Sequence, residues 1–189
     1  MKYIIPAIRF KVFVTILLGV IYPFAMTGIA KVLFPNQASG GFITRGGQII
    51  GSKLIGQNFE KPEYFWPRPS AIGYNPLPSG GSNLGQDSAD LKKTTDERKT
   101  KLKAAHPDQP EAPPQDLLFA SASGIDPHIS IEAAHYQLSR VAKIRHLNPA
   151  QVQKMIESST ANRQWVVFGE PTVNVLTLNL ALDETQEKK

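Results

Sequence analysis

From Val12 to Ala30 the chain reads VFVTILLGVIYPFAMTGIA, 19 residues without a single charge. At the helical rise of ~1.5 Å per residue this run is ~28 Å long, enough to cross a bilayer core ~30 Å thick. A lone strand would leave its backbone groups unpaired in lipid, so the run must be a helix. Pro23 lacks an N–H and predicts a disturbance near Gly19. Gly19, Pro23 and Gly28 are the candidate positions for close packing against neighbouring helices. Gly28-Ile29-Ala30 would also serve as a signal-peptide cleavage site. The apolar run, however, exceeds the ~7–15 residues of a signal core, which favours a retained anchor.

The anchor divides the chain into a short N-terminus (1–11), a membrane span (12–34) and a folded remainder (35–189). Lys2, Arg9 and Lys11 crowd the first segment, while only Lys31 and Arg45 follow closely on the other side. That asymmetry predicts a cytoplasmic N-terminus and an extracytoplasmic domain. Beyond Phe34 the chain holds 17 basic and 16 acidic residues, too even a balance for a nucleic-acid-binding surface. The densest basic run, Leu91–Lys103, is interrupted by Asp96 and Glu97 and reads as a solvated helix face. With no cysteine, disulfides and thiolate metal sites are excluded.

The remainder predicts a small α+β domain. Gly47–Phe59 alternates like one or two short strands broken by Gly51 and Gly56. Glu60–Gln86 is too rich in proline and glycine for regular structure. A helix follows from about Ser88 to Ala105, capped by Asp87 or Ser88. His106–Asp116 is a stiff proline-rich connection, and Leu117–Ser123 reads as a strand. Ser130 caps a helix with Ala134, Leu138 and Val141 on one face, and Asn148-Pro149 starts another. Trp165–Phe168 reads as a strand. Val173–Leu182 fits either helix or strand, with helix preferred.

No catalytic constellation emerges. GGQIIGSK has the glycine spacing of a phosphate loop but reverses its Lys-Ser order, and no helix pattern follows. The four histidines lack metal-site spacing and read as surface or capping residues. No nucleophile elbow surrounds Ser79, Ser82, Ser121 or Ser123. The conspicuous stretch is Pro62–Gly85. Tyr64, Phe65, Trp66, Arg68 and Tyr74 have an interface composition that a slack linker would not carry. Asn75, Ser79, Gly80, Gly81, Ser82 and Asn83 favour tight turns with outward N–H groups. These eleven residues are the candidate docking loop, against the domain, a partner or both.

LIGQNF, YFWPRPSA, YNPLPSGGSNL, ASASGIDPHIS, SRVAKIRHL and VNVLTLNLALD, in that order, resemble the C subunit of the bacterial Kdp potassium-transporting P-type ATPase. Ile131 and Ala89 depart from the family pattern, where proline is usual, and alter only how a helix starts. The resemblance implies a non-catalytic accessory subunit of an inner-membrane complex importing potassium. Its implied partners are a channel-like potassium-binding subunit, a P-type ATPase subunit and a small single-helix subunit. ATP and potassium would be handled by the complex, with no cofactor or metal assigned to this chain. The family is described as a catalytic chaperone raising the ATPase subunit's affinity for ATP. An exterior domain cannot touch cytoplasmic nucleotide, so that effect would have to be transmitted. Direct ATP binding and a free-standing anchored binding module are the alternatives.

Overall fold

The computed structural model describes residues 2–187, and the chain divides into two compact units, Met1–Ile50 and Gly51–Lys189. Residues 1, 188 and 189, which the sequence-drawn segments include, lie outside the described residues.

In the first unit a helix, α1 (Ile4–Leu33), is long and apolar enough to cross a membrane, with a mean hydropathy of 2.2. It begins well before Val12. The disturbance expected near Gly19 takes the form of a π-helical turn over Leu17–Ile21, where the Tyr22 N–H donates to the Leu17 carbonyl. The wider turn accommodates the hydrogen bond that Pro23 cannot donate. A single helical turn, Pro35–Ala38, leads to β1 (Phe42–Arg45) and β2 (Gln48–Ser52), which pair. Gly46 and Gly47, at φ 58° and 80°, make the reversal between them. Left-handed backbone at both turn positions is what a two-residue hairpin demands, so the phosphate-loop-like stretch GGQIIGSK opens in a hairpin turn at Gly46-Gly47 and runs on into β2. The expected break at Gly51 does not occur, because this residue lies inside β2.

The second unit is α+β, as expected. α2 (Ala89–Ala105) is capped by the Ser88 hydroxyl, which accepts from the Leu91 N–H. β3 (His128–Ser130) leads directly into α3 (Ile131–Ile144), with the Ser130 hydroxyl accepting from the Ala133 N–H. Ile131 and Ala89 are thus first helical residues, the position where proline is best tolerated. α4 (Pro149–Ser158) opens with a capping box between Asn148 and Gln151. β4 (Thr160–Ala161), β5 (Thr172–Asn174) and α5 (Val175–Glu187) complete the unit. The sheet is antiparallel in the order β3-β5-β4, pairing Ile129 with Val173 and Thr160 with Val173. Val141, Val152, Ile156, Leu178 and Leu182 fill the core between the helices, and Ile129 and Val173 seal it from the sheet.

Two expected strands are absent. Leu117–Ser123 starts in a helical turn, Gln115–Leu118, and continues as irregular chain. Its neighbour is the proline-rich loop: Ser121 N–H donates to the Pro69 carbonyl, and Pro69 has no N–H to return. Trp165–Phe168 is a tight reversal, because β4 and β5 are antiparallel neighbours and the chain must turn between them. The preferred helix at the C-terminus is present from Val175, after a strand that reads Thr172–Asn174.

Candidate functional site

The Pro62–Gly85 loop is irregular throughout, yet its first half is closely held. Phe65 is fully buried and crosses the space between α3 and α5. Asn179 on α5 accepts from the Phe65 N–H at 2.9 Å and donates to the Phe65 carbonyl at 3.0 Å. Gln137 on α3 does the same for Trp66, at 2.7 Å and 3.1 Å. Two side-chain amides thereby satisfy the backbone of an extended segment that no sheet receives.

Arg140, one helical turn beyond Gln137, completes the clamp. Its guanidinium donates to the carbonyls of Pro62 and Tyr64, to Gln137 Oε1 and to His106 Nε2 at 2.9 Å. It also lies 4.3 Å from the centre of the Trp66 ring, a cation–π distance. Every one of these partners is neutral, and burial pulls the Arg140 pKa down to about 10, still leaving it charged.

His106 caps the C-terminus of α2, one of the two roles expected of the histidines, but it is buried rather than on the surface. Its Nδ1 lies 2.7 Å from the Leu102 carbonyl, which can only accept, and its Nε2 faces the Arg140 Nε–H, which can only donate. The ring is therefore the neutral Nδ1–H tautomer. Burial above all, with Arg140 adding and the Leu102 carbonyl opposing, lowers its pKa to about 4.

On the other side Arg145 donates to the Glu63 carbonyl at 2.7 Å, pairs with Asp183 at 2.8 Å, and lies 4.7 Å from the Tyr64 ring centre. The Tyr64 hydroxyl donates to the same Asp183. Burial, then the Asp183 charge, raises the Tyr64 pKa.

The next part of the loop is pinned to Ser121–Asp126. Arg68 pairs with Asp126 at 2.9 Å. Burial pushes the Asp126 carboxyl up, but hydrogen bonds from His128 and Arg68 outweigh it and hold it below the ordinary value. The Tyr74 hydroxyl donates to the Arg68 carbonyl at 2.6 Å, and burial drives its pKa up to about 12. Ser79 Oγ and the Gly80 N–H both reach the Ser123 carbonyl. A Cβ on Gly81 would come within 3.0 Å of the Ala122 carbonyl oxygen, so a side chain there would force the segments apart.

Among the candidate residues, Tyr64, Phe65, Trp66, Arg68 and Tyr74 are brought together against the domain. Asn75, Ser79, Ser82 and Asn83 form an exposed tip that includes Leu77, 81% exposed. Asn75 Oδ1 accepts from the Leu77 N–H and shapes that tip. Gln137, Asn179, His106, Arg140 and Arg145 went unrecognised in the sequence. The available signal was a polar residue interrupting an apolar helical face, as Gln137 does between Ala133, Ala134 and Val141. Below the loop, a cleft of about 340 Å³ is walled by Phe59, Trp66 and Tyr74 and edged by Arg98 and Lys101. Among the described residues no cluster of acidic residues and histidines could hold a metal. Gly19, Pro23 and Gly28 lie along α1, and a Cβ on Gly28 would meet open space.

The described chain is thus one helix long and apolar enough to cross a membrane and an α+β unit whose buried charged residues hold a loop. The family model of the K+-transporting ATPase c chain, KdpC, matches residues 4–184. A potassium-transporting ATPase KdpC subunit from Dechloromonas aromatica is 52% identical over 185 residues, spanning 96% of this chain and 97% of the relative. Those of Variovorax paradoxus and Serratia proteamaculans are 50% and 46% identical, covering 94% and 97% of this chain and 94% and 98% of the relatives. The chain belongs to the KdpC family, the c chains of potassium-transporting ATPases.

Proposed function

We propose that this chain is the accessory subunit that holds an exterior domain against the potassium-conducting part of the complex. α1 crosses the inner membrane once with its N-terminus in the cytoplasm, and packs through Gly19, Pro23 and Gly28. The domain lies on the periplasmic side and docks through the loop on the channel-like subunit. The ATPase subunit and the small single-helix subunit are the other companions. Any effect on ATP turnover is then a coupling between subunits of ~1–3 kcal/mol.

The observation that carries this reading is the division of the loop. Its first half is locked by buried amides and guanidinium groups, while its tip is exposed. A preorganised tip binds without a large ordering cost. Arg68→Ala and Gly81→Val each unpin the second half without touching the core. Both variants should lose companion subunits in a mild-detergent pull-down and slow potassium uptake. Intact co-purification with normal uptake in both would rule the loop out as the docking element.

Direct contact with ATP has one observation in its favour, the aromatic cleft edged by Arg98 and Lys101. Photo-crosslinking of an azido-ATP to the purified complex separates the readings. Labelling of this chain that Lys101→Glu abolishes supports direct contact, and labelling confined to the ATPase subunit supports the coupled role.

A further inference from the structure

The reversal between β4 and β5 carries the most exposed apolar cluster in the folded unit: Trp165, Val166, Val167 and Phe168 are 87, 85, 69 and 60% exposed. Its shape is strained. Trp165 and Val166 stand at φ 50° and 69°, a left-handed conformation that costs a non-glycine residue ~1–2 kcal/mol and is rarest for β-branched side chains. The tip is nonetheless closed by paired hydrogen bonds between Gln164 and Phe168, and the Trp165 and Phe168 rings meet edge to face at 6.0 Å. At its neck Arg163 and Glu170 pair at 2.5 Å, so the charges nearest the head neutralise one another.

We propose that the Trp165–Phe168 head inserts into the bilayer interface and beds the folded unit on the membrane that α1 crosses. Three features favour lipid over a protein pocket. The N–H groups of Gln164, Val166, Val167 and Phe168 all have partners within the hairpin, so few are left bare when the head leaves water. Tryptophan and phenylalanine beside valines match the aromatic-apolar composition of interfacial anchors. Finally, the membrane is always within reach. Residues 34–50 join the apolar helix to the folded unit, and at ~3.3–3.6 Å per residue they extend no more than about 60 Å. A weak contact is then reinforced by the tether.

The inference rests on the anchored reading of α1, and the test separates the two. Trp66 and Trp165 are the two tryptophans of the chain, so the difference in emission between wild type and Trp165→Tyr isolates the head. The assembled complex is reconstituted in phosphatidylethanolamine–phosphatidylglycerol vesicles, with and without brominated acyl chains. The expected result is at least twofold quenching of the Trp165 signal by brominated lipid, blue-shifted emission and little quenching by iodide. Val166→Asp with Val167→Asp should reverse all three while the fold persists, since both residues are exposed. Iodide quenching without bromolipid quenching would place the head in water and overturn the proposal. Protection from both quenchers would place it under a companion subunit and overturn it equally. The chain expressed alone is floated with the same vesicles: if wild type fails to float, the anchored reading falls, and the lipid head with it.

Discussion

Gln137 and Asn179 do work usually left to a neighbouring strand: each side-chain amide accepts one backbone N–H and returns one N–H to a carbonyl. Removing either therefore leaves two backbone groups unpaired in or beside the core, at ~1–3 kcal/mol each. Asn179→Ala should lower unfolding stability by about 2–4 kcal/mol, read from urea denaturation of the purified chain in detergent. An effect below about 0.5 kcal/mol would mean that the clamp is not holding the loop. His106 gives the residue scale its pH dependence. Its pKa is depressed to about 4 from an ordinary 6.5, chiefly because burial disfavours the charged ring, with the neighbouring Arg140 charge adding to it. The unfolded chain therefore binds a proton before the folded chain does. The stability due to neutral His106 is complete above about pH 6.5 and is lost as pH falls toward 4, at a cost on the order of 2–3 kcal/mol. In His106→Gln the slope of stability between pH 7 and 4.5 should flatten. Neither role was legible in the sequence, since a glutamine or histidine in isolation gives no sign of which backbone it faces.

At the scale of elements, the helices were the legible part because their signals are local. Ser88, Ser130 and Asn148 each stand at the N-cap the sequence implied, and the Ala134–Val141 face is the one that packs. Ser130→Ala should cost about 1 kcal/mol through the lost cap, measurable as a lowered melting temperature. The strands were hard to read because β3, β4 and β5 are two or three residues long and defined by distant partners. Trp165–Phe168 shows the failure most clearly. Its composition is that of a strand, but antiparallel pairing of β4 and β5 makes it the turn. Val166→Asn, which suits left-handed backbone, should therefore stabilise the domain by about 1 kcal/mol. A destabilised Val166→Asn variant would contradict the strained turn. The Pro62–Gly85 loop was legible as an ordered segment, and what the sequence could not divide was its held half from its exposed tip.

At the scale of the whole molecule, the proposed single-span anchor carries an α+β domain whose exposed loop tip would meet a companion subunit. The composition suits a decisive test, because the chain has no cysteine and any thiol introduced is unique. Ser79→Cys places one at the exposed tip. A membrane-impermeant maleimide is applied to spheroplasts expressing the variant chain alone or with its companion subunits. Labelling of the lone chain without permeabilisation, strongly reduced when the companions are present, is the predicted result. Labelling only after permeabilisation, or equal labelling in both cases, would contradict it.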